Sequence, residues 1–197
     1  MKRVAKHAQF EQKIDKSRFI GYCYPVESRE EAEDIIKEIE KEHYKATHVC
    51  PAYRLLGKNE IISYNSDDGE PARSSGPPIE SAIEGRELVN TLCVVVRYFG
   101  GIKLGIGGLI RAYGGTAGKT LDKAGVKNFK KKQKVEFSVP HQSYSEILNL
   151  IQMHQLDFDQ NYTKNGAIIT LDLPEDKVQP FIKMAKLIDG ININKGT

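Results

Sequence analysis

No run of apolar residues approaches 18, so no stretch reads as a membrane-spanning helix, and the charged opening MKRVAKHAQFEQK lacks the apolar segment of a secretion signal. A cytoplasmic protein without membrane attachment is expected. Cysteine is scarce: Cys23, Cys50 and Cys93 each fall in a strand-like segment, with no CxxC pair among them. Reduced, mostly buried thiols fit this pattern, and a disulfide framework or structural metal does not. Net charge is small as well, +3 over 197 residues, too little to argue for nucleic acid by itself. It is unevenly placed. Residues 1–134 carry 24 Lys and Arg against 18 Asp and Glu, net +6, while residues 135–197 carry 5 against 8, net −3. An anionic partner at one end fits this asymmetry, and so does ordinary solvated surface charge. The sharpest absence is local, since no Asp or Glu occurs between Glu87 and Asp122.

That acid-free interval contains residues 94–113, VVVRYFGGIKLGIGGLIRAY, which read as strand, glycine loop and helix. Such a loop offers backbone N–H groups unscreened by side chains, and the following helix adds its partial positive end. An anion, nucleic acid included, is the ligand this pattern suits. The candidate residues are Arg97, Gly100, Gly101, Lys103, Gly105, Gly107, Gly108 and Arg111, with Lys119 further along and Tyr98, Phe99 and Tyr113 as stacking surfaces. The alternative is that the glycines only permit tight turns and close helix-to-strand contact. Two nucleotide-binding patterns fail on spacing: a Walker A glycine would be needed where Tyr113 stands, and a Rossmann glycine where Ile110 stands.

A second cluster is acidic. Asp67, Asp68 and Glu70 lie within four residues, with Gly69 allowing a turn. They suit Mg²⁺ held through water, or a general base; they equally suit a set of acceptors that brace a neighbouring arginine and backbone amides. Alternation would put His48 and Cys50 on one strand face, but no third ligand is nearby in sequence. No catalytic residue, metal ligand or cofactor site is therefore assigned.

Around these clusters the periodicities alternate. Ala8–Ile14 and residues 17–26 read as paired strands, residues 28–42 as an amphipathic helix opened by a capping box of Ser28 and Glu31, and residues 46–56 and 61–64 as strands joined by a turn at 57–59. Pro77 and Pro78 suit the first turn of a helix to about Leu88, capped by Ser74 or Ser75. The helix expected after the glycine loop contains Gly114, Gly115 and Gly118, which together weaken it by roughly 3 kcal/mol unless close packing on the sheet offsets them. A lysine run at 127–134 marks a boundary. Beyond it, strand 135–139, helix 143–154, strands 157–162 and 167–171 around Asn165-Gly166, helix 175–187 and a closing ININ give βαββαβ, the order of a ferredoxin-like module. The expectation is an α+β protein with domains at 1–130 and 131–197.

SDDGEP at 66–71, followed by VVVRYFGGIKLGIGGLIRAYGG at 94–115, closely resembles the IMPACT/YigZ family, and the likeness extends to KSRFI at 16–20 and ATHVCPAYR at 46–54. The resemblance implies a first domain like domain 2 of ribosomal protein S5 and a ferredoxin-like second domain. It implies a non-catalytic role linked to the regulation of translation, with RNA, the ribosome or a translation-associated protein as partner. Eukaryotic relatives use an additional N-terminal domain to occupy the activator of a starvation-sensing kinase; this sequence opens at the first shared strand, and that kinase role is not expected. Two departures from the family pattern, Arg73-Ser74-Ser75-Gly76 and Val96, remove no charged group. The alternative from another class is a Mg-dependent enzyme acting on a phosphorylated small molecule or nucleic-acid end, with the acidic cluster holding Mg²⁺ near Lys103.

Overall fold

The computed structural model describes residues 1–57 and 60–194, so part of the turn expected at 57–59 lies outside the described residues. The protein is a mixed α/β chain of two compact units, Met1–Phe129 and Lys130–Thr197. In the first unit the elements run β1 (Lys2–Val4), β2 (Ala8–Ile14), β3 (Ser17–Pro25), α1 (Arg29–Glu42), β4 (His48–Leu56), β5 (Ile61–Asn65), α2 (Gly76–Glu84), β6 (Thr91–Tyr98), α3 (Gly105–Ala124) and β7 (Val126–Asn128). Five of the strands form an antiparallel sheet in the order β2-β3-β6-β4-β5, and β1 pairs with β7 in a small separate ribbon.

Both faces of this sheet are covered. Ala32, Ile36 and Ile39 of α1 pack on Ile20, Tyr22, Val49, Tyr53, Val94 and Val96. On the opposite face, Ile79 and Ile83 of α2 and Leu109, Tyr113, Ala117 and Leu121 of α3 pack on Phe19, Cys23, Cys50, Cys93 and Val95. Side chains alternate between faces along a strand, so a central strand covered on both sides must be apolar throughout. That is why β6 reads as the continuous run TLCVVV although its neighbours are antiparallel.

The local rules operate in α1, where the Ser28 hydroxyl accepts the Glu31 N–H at 3.1 Å and the Glu31 carboxylate accepts the Glu27 N–H at 2.7 Å. Three expectations shift. Helix α2 stops at Glu84, short of Leu88, because the chain turns at Gly85 and Glu87 takes a positive φ of 55°. The compensation for glycine in α3 also differs. Gly114 faces Pro78 of α2 and Gly118 faces Arg86, while the close approach to the sheet comes from Gly21 of β3, where a Cβ would overlap the Thr120 hydroxyl. The lysine run, finally, is partly strand: Lys127 lies in β7, and the first strand of the second unit starts at Lys132.

The second unit continues with β8 (Lys132–Pro140), α4 (Tyr144–Met153), β9 (Phe158–Thr163), β10 (Gly166–Pro174), α5 (Glu175–Ala185) and β11 (Asn192–Asn194). Its sheet is antiparallel in the order β11-β8-β10-β9. Val135, Phe137, Val139, Ile169, Leu171 and Leu173 meet Ile147 and Ile151 of α4 and Val178, Phe181 and Ala185 of α5 in a single core. The alternate residues of the central strands, Glu136, Ser138, Ile168, Thr170 and Asp172, are not buried.

Candidate functional site

Four connections meet at one end of the five-stranded sheet: the β2–β3 turn, the entry to β4, the loop from β5 to α2, and the loop from β6 to α3. Their backbones are tied across. Thr47 N–H donates to the Arg97 carbonyl at 2.8 Å, Phe99 N–H to the Thr47 hydroxyl at 2.9 Å, and Gly100 N–H to the Ser17 hydroxyl at 3.2 Å. Gly100 is required here, because a Cβ would overlap the Lys16 carbonyl group. Positive φ angles concentrate at this end, at Asp15, Lys16, Asp68, Gly69, Arg73, Gly101 and Gly105. Non-glycine residues in that region cost free energy and persist only where surrounding bonds hold them.

The acidic loop supplies those bonds. One Asp67 oxygen accepts the Ser75 N–H at 2.9 Å, the Ser75 hydroxyl at 2.8 Å and the Gly76 N–H at 2.9 Å, while the other accepts the Arg73 N–H at 2.6 Å. Burial pushes this carboxyl up, but the Ser75 hydroxyl and the backbone N–H groups outweigh it and hold Asp67 below the usual carboxylate range. Asp68 accepts the Val49 N–H at 2.6 Å. Its carbonyl lies 2.6 Å from His48 Nδ1, and since a carbonyl only accepts, that nitrogen carries the proton. Glu70 is buried and accepts from Arg97 Nη1 at 2.6 Å and from the Tyr113 hydroxyl at 2.7 Å. All three carboxylates are thus committed to internal donors, as the bracing alternative requires. Among the described residues no His, Cys, Asp and Glu side chains gather as a metal site would need. Cys50, its thiol pushed up to about 12 by burial, donates to the Asp67 carbonyl at 3.2 Å, the setting of a structural rather than a reactive cysteine.

Of the sequence candidates, Arg97 belongs to this inner layer. It is 5% exposed, with its guanidinium 5.6 Å from the Phe19 ring centroid and 5.2 Å from that of Phe99. Its charge is balanced by Glu70, which takes it out of the anion-facing set. Tyr113 is buried, and Tyr98 is bonded to His43 at 2.8 Å, so of the three proposed stacking rings only Phe99, 44% exposed, presents a surface. Lys119 is engaged by Gln12 at 2.8 Å.

The outer layer holds the rest. Helix α3 begins at Gly105, four residues earlier than its first buried apolar residue Leu109, and its first turn has no side-chain cap. The N–H groups without a helical partner are therefore those of residues 104–107, and Gly108 sits inside the helical ladder. Gly101, Lys103, Gly105, Gly107 and Arg111 are all exposed. Arg111 folds back along the helix, its Nη1 lying 3.5 Å from where a Gly107 Cβ would stand. Lys16, which sequence reasoning passed over, joins them: it is exposed and sits on the turn that abuts Gly100. Only its place beside a tight turn could have signalled it. Among the described residues, the side chains of Lys16, Lys103 and Arg111 have no hydrogen-bond or ion-pair partner.

With this geometry in hand, comparison with known proteins is specific. Residues 15–121 match the family model of the Impact N-terminal domain, an interval that contains both layers of the site. An IMPACT family member of Thermus thermophilus is 38% identical over 161 residues, covering 82% of this chain and 86% of that protein. The IMPACT family member YvyE of Bacillus subtilis (strain 168) is 46% identical over 123 residues, and there the chain spans only 56% of the relative's length. A solved structure of a hypothetical protein superposes with a TM-score of 0.76 at 27% identity, covering 100% of this chain and 97% of that one. No helix of the described residues is long and apolar enough to cross a membrane. The family model spans more than half the chain, and the Thermus relative is covered almost throughout: the chain belongs to the IMPACT family.

Proposed function

We propose that this chain is a non-catalytic cytoplasmic binding protein, linked to the regulation of translation, that holds RNA or the ribosome by phosphate groups at the start of α3. The observation that carries the reading is Arg111. A helix N-terminus already concentrates partial positive charge, so a cation is stabilised there only if an anion joins it. Arg111 lies over that turn as helical side chains do, exposed Lys103 stands two residues before the helix, and no acid occurs in the sequence from residue 88 to residue 121. The first unit is read as an S5 domain 2-like domain, and the second as ferredoxin-like, on the support of its βαββαβ order and its β11-β8-β10-β9 sheet.

Filter binding of oligouridylate and of a hairpin RNA at two salt concentrations tests this. Removing one cation that neutralises a phosphate should flatten the logarithmic salt dependence by about 0.7 to 0.9 of a unit. Lys103→Ala with Arg111→Ala is expected to weaken binding for both RNAs alike, with the fold retained. Equal affinities for wild type and double variant, or no RNA binding at low salt, would overturn the reading. The Mg-dependent alternative keeps one point in its favour, since Glu70 does lie beside the strand that leads into the glycine loop. Its ligands would first have to release the donors that hold Asp67 and Glu70.

A further inference from the structure

The cations beside the glycine loop do not stand alone. Phe99 is 44% exposed, Ile102 42%, Ile106 60% and Ile110 41%, four large apolar side chains on the loop and the first two turns of α3. Ile106 and Ile110 are four apart on the helix and so share one face, and Ile102 lies in the loop that leads into it. Exposed apolar residues scattered singly need no explanation, whereas a row of them rimmed by polar groups marks an interaction surface. The inner face of α3 already has its partners, Leu109, Ala112, Tyr113, Ala117 and Leu121. The isoleucine row is therefore surplus to the fold.

Its chemistry selects among occupants. An isoleucine side chain neither stacks as a ring does nor hydrogen-bonds, so phosphate, ribose and base edges gain little by covering three of them. Apolar side chains gain the full hydrophobic term. The flanking charge then fixes the sign: Lys16, Lys103 and Arg111 have no acidic partner among the described residues. We infer that the row Ile102, Ile106 and Ile110, with Phe99 and these three cations, is the docking surface for an acidic amphipathic segment of another protein, its apolar residues laid on the isoleucines and its carboxylates on the cations. This goes beyond phosphate recognition and does not depend on it.

The test pans a random 16-residue peptide display library on the full chain and measures an enriched peptide, made synthetically, by fluorescence anisotropy. Enriched sequences should carry net negative charge with apolar residues three and four apart. The synthetic peptide should lose at least tenfold in affinity on Ile106→Asp and on Lys103→Glu, and little on Lys183→Glu in the second unit. Circular dichroism and the melting temperature should be unchanged by Ile106→Asp, because that side chain is already solvent-facing. The inference is overturned if enriched peptides show no acidic excess, or if they bind the Ile106→Asp protein equally. It is also overturned if no peptide is enriched while Ile106→Asp abolishes binding of oligouridylate, or of vesicles containing 30% phosphatidylglycerol, which would make RNA or a lipid surface the occupant. Loss of RNA binding in wild type with the peptide retained would remove the phosphate reading and leave this one standing.

Discussion

Arg97 and Arg111 are fourteen residues apart in one acid-free stretch, and the protein treats them in opposite ways. Arg97 is buried between two rings and balanced by Glu70, whereas Arg111 lies in solvent along the first turn of a helix with no ion-pair partner among the described residues. Burying an ion pair brings little net stability but makes each partner dependent on the other. The inner layer therefore sets the geometry of the sheet end, and the outer layer is free to be used. One composition serves two purposes, separated by burial.

The separation is broken most forcefully at Glu70. Glu70→Ala leaves the Arg97 guanidinium buried without its carboxylate and the Tyr113 hydroxyl without its acceptor. About 3–5 kcal/mol of stability should go, read as a lower urea midpoint. Arg111→Ala should change stability by less than about 0.5 kcal/mol while weakening RNA binding. A double-mutant cycle of Glu70→Ala with Arg97→Met should recover much of the loss, since removing both charges ends the imbalance. If Glu70→Ala proves as mild as Arg111→Ala, the two layers are not distinct.

Next in size is the joint between the layers. Gly100→Ala drives a methyl group into the Lys16 carbonyl, and backbone cannot yield as a flexible side chain can. A loss of roughly 1–3 kcal/mol is expected. Because the same shift displaces Lys16 and the loop, binding to RNA should fall with stability, which Arg111→Ala would not do.

Asp67 sharpens the comparison through pH. Its carboxyl is held below the usual range in the folded protein, so the stability it contributes is present above the unfolded value of about 3.9 and is lost as pH falls through the lower folded value. Asp67→Asn should therefore be less stable than wild type near neutrality and less acid-sensitive below about pH 4. Chemical denaturation at pH 7 and pH 3 measures both; curves that stay parallel would remove Asp67 from the inner layer.

How far the fold and the site are legible in the sequence depends on where each signal resides. Strands and helices with an unbroken period, such as α1 with Ser28 and Glu31, stand in the sequence because their causes are local. The start of α3 does not, because glycines at 105, 107 and 108 carry no side-chain period, and the helix there is fixed by the packing of Leu109, Ala112 and Tyr113 in its later turns. β1 and β7, three residues each, are too short to show a period and are held by partners distant in sequence, β1 by β7 and by the segment at Leu88 and Val89. The bracing role of Asp67 is readable as one alternative, since its donors lie within nine residues. Arg97 cannot be separated from Arg111 by sequence, because Glu70 is 27 positions away and only the folded sheet brings them together. Lys16 stays hidden for the same reason.

The smallest effect tests the close-packing half of the comparison inside α3 itself. A Cβ on Gly114 would lie 3.5 Å from Pro78 and one on Gly118 would lie 3.2 Å from the Arg86 guanidinium, but a Cβ on Gly115 would meet nothing within 4 Å. Gly115 is exposed, lies in mid-helix and has no positive φ, so neither crowding nor backbone conformation calls for glycine there. Glycine still carries its entropic penalty at that position, and Gly115→Ala should stabilise the protein by about 0.8–1 kcal/mol. Gly118→Ala pushes on a guanidinium that already donates to the Gly118 and Ala82 carbonyls, and should gain less or lose outright. Thermal melts of the two variants side by side decide it. A gain at 115 with none at 118 places the tight contact where the helix meets Arg86, while equal gains at both would mean that neither glycine is there for packing.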